Sequence, residues 1–427
     1  MNGVLVEFER RHPLLTYLVA GLILAVAIAG LVLLGITGVT RTSRPFTDFD
    51  FFYTAGSMWL DGQNPYDYAA FRERYLLVEQ LESGRAPPSG DGRIGSFAYS
   101  PTVAPFFMGL ALLGFSTAKT VVLVLNLCAV AALAGFAVAW IWRGQGPRGG
   151  ENSILVAALL AGIVVVNPFT TRGIWLGQVT LPFAVILIGS WYFSRRRKDL
   201  LAGLLLGLVT MKPQTLVLPT LWFLLEGRFR LLIVAAGLAL IFAAYPVTLY
   251  GPIGVVKEWF SAMDYYRSTP ANAPGVTNVI GLPSVMAALG LPILSINVAL
   301  GIAGAVTLAL WRMRHQLCRD DIFGLLMALS FGLVFAHQPE LVLLTPAVAA
   351  LWLHLGQSRV AWIGLLLGVL AIFVPERVIA DLGGGTLLLH RFTLVTWLTL
   401  VCLFFASRSA ASKTPTNSCQ TSIRPTP

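Results

Sequence analysis

Asp48 and Asp50 stand two residues apart in Phe46-Thr-Asp-Phe-Asp-Phe-Phe-Tyr53, a stretch dominated by aromatic rings. A carboxylate in such a setting can act as a general base. Burial among Phe46, Phe49, Phe51 and Phe52 disfavours its charged form and lifts its pKa toward a useful range. The competing reading is that Asp48 caps a short helix over 49–60, because Asp is a preferred N-cap residue. Isolated polar groups recur at the ends of later apolar runs. Arg172 and Gln178 flank Gly173-Ile-Trp-Leu-Gly177, Lys212-Pro213 separates two short apolar runs, and His337-Gln-Pro-Glu340 joins two more. Arg391 lies near the start of the last run. An ionisable group at membrane depth costs about 2.5–3.5 kcal/mol on insertion scales, which makes each a functional candidate. Each also has a bland reading. Lys212 can snorkel to an interface, His337 can be a neutral hydrogen-bonded histidine, and Gln178 can tie two helices together. Glu340 can pair with Lys212 or Arg172 as a structural ion pair. Taken together, a carboxylate suits activation of a hydroxyl, and a cationic cluster suits a phosphate headgroup. That combination points to transfer from a phosphate-activated lipid donor to an acceptor outside the cytoplasm, where ATP is not at hand.

The elements that position these groups follow from composition. Of 427 residues, 56% are hydrophobic and 12% charged, about half the charge of a soluble domain. That excludes a soluble enzyme, a disordered chain and a disulfide-rich secreted domain. The expectation is an all-α polytopic membrane protein with about 11–13 transmembrane helices, at roughly 20 residues per span. Apolar stretches fall near 14–39, 118–142, 153–169, 178–194, 199–211, 214–226, 231–250, 293–311, 322–336, 340–356, 360–374 and 386–406. The first is too long for a cleaved signal and reads as an uncleaved span, with Arg10 and Arg11 holding its start inside. Ser194-Arg-Arg-Arg-Lys198 is the strongest cytoplasmic marker. Counting from it puts 143–152, 227–230, 312–321, 357–359 and the tail inside. It puts 40–117, 170–177, the Lys212 turn, 251–292, 337–339 and 375–385 outside. The count holds if 97–115, which contains Pro, does not cross. One integral-membrane domain is expected over 1–406, and a disordered cytoplasmic tail over 407–427.

The long first loop, 40–96, is expected outside the cytoplasm with helices at the membrane surface. Over 67–82, Tyr68, Phe71, Tyr75, Val78 and Leu81 recur at spacings of three and four, with Arg72, Glu73, Glu79 and Glu82 on the other face. That is the pattern of an interfacial amphipathic helix. Gly203-Leu-Leu-Leu-Gly207 has the spacing of close helix packing. Cys128, Cys318, Cys402 and Cys419 show no metal or redox spacing and receive no function. No metal and no cofactor is inferred. The net charge of +10 is assigned to cytoplasmic loops rather than to nucleic-acid binding.

Four patches together resemble glycosyltransferase family 87, polytopic enzymes of the GT-C superfamily. They are Asp48-Phe-Asp-Phe-Phe-Tyr53-Thr-Ala-Gly56 with Gly62-Gln-Asn-Pro-Tyr66-Asp67; Phe97-Ala-Tyr-Ser-Pro101; Gly177-Gln178 with Ala202-Gly203 through Lys212-Pro213; and His337 to Pro346. The resemblance spans roughly residues 40 to 350. It implies a GT-C-like bundle and an inverting transferase that takes a sugar, commonly mannose, from a polyprenyl-phosphate donor to a lipid or glycan acceptor. It implies a bacterial inner membrane with the active site on the extracytoplasmic side. Position maps the family's acidic base to Asp48, with Asp50 as fallback, its central Lys to Lys212 and its later His to His337, as cationic or hydrogen-bonding groups at the donor phosphate. Asp50, Tyr53, Gln178 and Glu340 join as substrate-binding candidates. Arg172 as a phosphate ligand follows from the topology and not from the family. The later loop departs from the family, with His-Gln-Pro-Glu where related chains carry a longer His/Tyr/Asp run.

Three rival readings accompany this one. A transporter or flippase of an anionic polyprenyl or glycolipid substrate also needs cations facing a cavity, but calls for internal repeats, and no fixed-period repeat is visible. A non-catalytic scaffold predicts no effect of Asp48→Asn. The third is a relative that has lost catalysis or uses another sugar.

Overall fold

The computed structural model describes residues 2–37, 47–82, 95–144, 153–355, 358–374, 376–381 and 390–413. In chain order the helices are α1 (Asn2–Arg11), α2 (Pro13–Leu31), α3 (Thr47–Leu60), α4 (Tyr68–Leu77), α5 (Ala104–Leu112), α6 (Phe115–Gly144) and α7 (Ile154–Val166). There follow α8 (Pro168–Leu176), α9 (Thr180–Arg195), α10 (Asp199–Val209), α11 (Val217–Leu225), α12 (Phe229–Tyr250) and α13 (Pro252–Ser268). The last are α14 (Leu282–Ala288), α15 (Ile296–Arg312), α16 (Ile322–Leu333), α17 (Thr345–Leu353), α18 (Arg359–Phe373), α19 (Glu376–Asp381) and α20 (Arg391–Lys413). Among the described residues the only strands are two-residue pieces at Val279–Ile280 and Ala336–His337. The protein is an all-α polytopic membrane protein.

Each expected apolar stretch becomes a helix, but their lengths divide them. Among the described residues, four are long and apolar enough to cross a membrane: Pro13–Ile36, α6, α12 and α20. A fifth is the pair α7 and α8, bent by 40°. The others are shorter. The 11 residues of α10 reach about 16 Å, roughly half of a bilayer's hydrocarbon core. The stretch 97–115 yields a turn at Pro101–Val103 and the nine-residue α5, too short to cross alone. Residues 170–177, expected as a loop, are mostly α8. Asn167 explains the bend. Its Oδ1 accepts from the Phe169 and Thr170 amides while its amide donates to Ile163 O and Val164 O. Pro168 then starts the next helix at the position where a missing N–H costs nothing. The last helix runs through Ser407 to Lys413. The tail expected to be disordered from Ser407 is therefore helical at its start, and 414–427 lie outside the described residues.

The chain divides into two compact units. One comprises 1–41, 128–175 and 280–427, the other 42–127 and 176–279. In the first unit, α16 is buried from Ile322 to Gly332, and small residues admit its neighbours. A Cβ on Gly324 would meet Ala347 Cα at 2.8 Å, and one on Gly332 would meet the Trp397 ring at 2.6 Å. An apolar cleft, partly open to the outside, is lined by Leu160, Val164, Val348, Leu365, Ile372 and their neighbours. Glu9 closes the start of α7, accepting from Ser153 Oγ and from the Ile154 and Leu155 amides.

The second unit is built on aromatic rings. Phe52 stacks on Phe107 at 4.7 Å, Phe97 meets Trp59 edge-on at 5.5 Å, and Phe51 lies 4.7 Å from Tyr75. Such pairs are worth about 0.5–1.5 kcal/mol each beyond the area they bury. Gly56 lets α3 press against α5, since a Cβ there would sit 2.1 Å from Phe107 O. Helix α13, within a region expected to be loop, ties this block down: Trp259 Nε1 donates to Ala98 O and Ser96 Oγ to Ala262 O. The Gly203 and Gly207 spacing is close packing, because Cβ atoms there would meet Leu231 O at 2.5 Å and Leu238 Cβ at 2.9 Å.

Candidate active site

Helix α3 begins at Thr47, so Asp48 and Asp50 both lie in its first turn. The expected start at 49, with Asp48 as the cap, is corrected: Asp48 is a helical residue, and Phe46 lies outside the described residues. A first-turn carboxylate is stabilised by the helix dipole by about 0.3–1 kcal/mol. Asp48 is half-buried, whereas Asp50 is fully buried. The burial expected at Asp48 is found at Asp50 instead. Tyr53 packs edge-on to Phe115 at 5.2 Å and beside Phe49.

Asp48 Oδ2 accepts a hydrogen bond from the side-chain amide of Gln178. Gln178 follows Gly177, whose φ of 68° suits glycine and turns the chain between α8 and α9. Its other end is engaged as well. Gln178 Oε1 accepts from Lys212 Nζ at 3.2 Å and from Thr180 Oγ1 at 2.8 Å. With the oxygen held by two donors, the nitrogen is left to face the carboxylate, which fixes the orientation of the amide. Lys212 is 4% exposed. It also donates to Thr180 Oγ1 at 2.5 Å and lies over the Tyr99 ring at 5.6 Å. Pro213 places it there. The residue before proline is pushed out of the helical region, and α10 stops short of Lys212, whose φ of −124° and ψ of 75° end the run. A carboxylate and a buried ammonium are thus joined through one amide, all on the second unit.

Tyr75 and Glu79 stand near this carboxylate pair, and sequence reasoning placed Glu79 wrongly. Tyr75 OH donates to Glu79 Oε1 at 3.0 Å, and Glu79 is fully buried. After Leu77 the chain passes into a π-helical turn, Val78–Glu82. Glu79 follows Tyr75 by four residues, so helical geometry itself sets it on the buried Tyr75 face rather than on the polar face where it was expected. Phe71, Tyr75 and Val78 are buried as their spacing predicts, and Asp67 caps α4 through the Ala69 and Ala70 amides. Burial, then the charges of Glu79 and Asp50, the Glu79 hydrogen bond and the charge of Asp48 hold the Tyr75 phenol well above its ordinary pKa.

The remaining candidates lie on the first unit. Arg172, on α8, donates through Nη1 to Gln338 Oε1 at 2.7 Å. His337 begins a 3₁₀ helix, Gln338–Leu344, where sequence reasoning expected spans joined directly. Its ring caps the turn while Glu340 accepts from the His337 amide at 3.2 Å. The ring also stands edge-on to Phe335 at 5.1 Å. Glu340 is buried in this reciprocal cap. Arg391 donates to Ala371 O at 2.9 Å. The structure thus joins Asp48, Gln178 and Lys212 on one unit and gathers Arg172, His337 and Glu340 on the other. Thr180, Tyr99 and Tyr75 were missed. A hydroxyl in an apolar run carries no sequence signal, although Thr180 lies only two positions from Gln178.

The family model described as glycosyltransferase family 87 matches residues 97–339, more than half of the chain. The match includes Arg172, Gln178, Lys212 and His337 and stops short of Asp48, Asp50, Tyr53 and Glu340. No curated protein and no solved structure matches the chain.

Proposed function

The chain belongs to glycosyltransferase family 87 and is a membrane glycosyltransferase; from that premise we propose an inverting transfer of a hexose, mannose first, from a polyprenyl-phosphate sugar to a lipid or glycan acceptor. The reaction is assigned to the extracytoplasmic side of a bacterial inner membrane. The observation that carries the reading is the hydrogen-bonded path from Asp48 through Gln178 to Lys212. In a single displacement, the acceptor hydroxyl gives its proton to Asp48 as its oxygen bonds to C1 of the sugar. The bond from C1 to the phosphate oxygen breaks, and polyprenyl phosphate departs with the electron pair. Lys212 supplies positive charge for the departing phosphate, and Thr180 and Gln178 hold the ammonium in place. Asp50 and Tyr53 frame the acceptor end from within the aromatic layer. On the first unit, Arg172, His337 and Glu340 are proposed as donor-binding groups to be tested separately.

The test is transfer of labelled sugar from polyprenyl-phosphate-mannose into membrane lipids, with wild type and Asp48→Asn at matched expression. A general base contributes about 10²–10⁴-fold, so Asp48→Asn is expected to lose that much. Equal transfer by the two would remove Asp48 as the base and move the test to Asp50. No transfer by the wild type would reject this donor and direct attention to lipid transport.

A further inference from the structure

Cys318, Asp321 and His354 are scattered in sequence and converge in the fold. All three are buried, and one ligand atom from each lies within 4.8 Å of the others. A tight turn accounts for the first pair: the Asp321 amide donates to Cys318 O at 3.0 Å, so positions i and i+3 face the same side. His354 comes from the C-terminal end of α17, where its Nε2 lies 2.7 Å from Asp321 Oδ2. Ser407 of α20 holds the cysteine, its Oγ accepting from the Cys318 amide at 2.8 Å. The neighbouring Arg319 and Asp320 are exposed, which gives a short route in from water.

We propose that Cys318, Asp321 and His354 form a binding site for a divalent cation of the zinc class. A thiolate, an imidazole and a carboxylate are the donors such an ion selects, and three of them leave a fourth position for water. Tetrahedral coordination separates N and O donors by roughly 3.3 Å, so Nε2 and Oδ2 need to part by less than about 1 Å. The bound ion would fasten the turn before α16 to the end of α17, beside the His354–Asp321 hydrogen bond that already links them. This places the site among connections that the charge-based topology count assigns to the cytoplasm, the opposite face from the first loop. The inference is independent of the sugar-transfer reading.

The test uses the full chain, purified in detergent and stripped with a chelator, then titrated with Co²⁺ and afterwards with Zn²⁺. Wild type is expected to bind about one Co²⁺ per chain, to show a thiolate-to-cobalt charge-transfer band, and to lose that band when zinc displaces cobalt. Cys318→Ser keeps Cys128, Cys402 and Cys419, and is expected to lose the band and to bind zinc at least about 100-fold more weakly. Zinc is also expected to slow alkylation of Cys318 in the wild-type protein, read peptide by peptide, so the result does not depend on the variant folding. A wild-type chain with no such band, or a band unchanged in Cys318→Ser, overturns the proposal in favour of a hydrogen-bonded Asp–His pair with an uninvolved thiol.

Discussion

Gln178 carries two charged partners on one amide, which makes it the most informative single side chain outside Asp48. A hydrogen bond to a charged group is worth about 1.5–3 kcal/mol. Gln178→Leu is therefore expected to lower sugar transfer by about ten- to a hundredfold at unchanged protein level, with Lys212 still held by Thr180. A Gln178→Leu enzyme as active as wild type would sink the relay. Tyr75 gives the pH dependence. Its phenol is held above the ordinary value of 10.0, so the neutral form is favoured in the folded chain. The stability this contributes is fully present below about pH 10 and is lost as pH rises toward the folded value. Thermal unfolding in detergent should show the wild type falling above pH 10, and Tyr75→Phe falling less steeply from a lower starting point. Gln178 and Lys212 were legible because a polar residue beside a Gly or Pro at the end of an apolar run has few reasons to be there, and Asp48 because it is a carboxylate within a run of aromatic residues. Glu79 was equally legible, since it stands four residues after Tyr75, but its charge led to its assignment to the polar face.

Helix α3 carries Asp48, and Gly56 sets how closely α3 approaches α5. Gly56→Ala puts a methyl group 2.1 Å from a backbone oxygen, where no side chain can yield. It is expected to cost about 1–3 kcal/mol and to reduce transfer by shifting the carboxylate. Gly109→Ala, which meets nothing within 4 Å, serves as the control, and equal melting of the two proteins would refute the argument. Hydropathy located the apolar helices because every buried stretch in a membrane protein must satisfy its backbone internally, and a helix does so. It failed at the breaks. Asn167-Pro168 reads as the end of a span and is a bend, and α13 was missed because Lys257, Glu258, Asp264 and Arg267 dilute its apolar face.

At the scale of the molecule, class and composition were legible and the number of crossings was not. A period of apolar residues marks a helix without saying whether it reaches both water interfaces. Orientation rests on the charge run at 195–198, folded as a turn in which Arg197 takes a φ of 59°. Gln63→Cys should react with an impermeant thiol reagent on intact cells, and Lys198→Cys only after permeabilisation, each above the native cysteine background. The reverse pattern would turn the whole assignment over. The interleaving of the two units has a consequence for how the chain is made. The unit holding Asp48, Gln178 and Lys212 is complete once Val279 has been synthesised, while the other waits for the final stretch beginning at Ile280. Glu9 must wait 144 residues for Ser153, leaving the first span in lipid without its partner helix. A ribosome paused beyond Val279 would therefore hold a nascent chain whose carboxylate, amide and ammonium can already be in register, while its first span still lacks the last helices of its own unit.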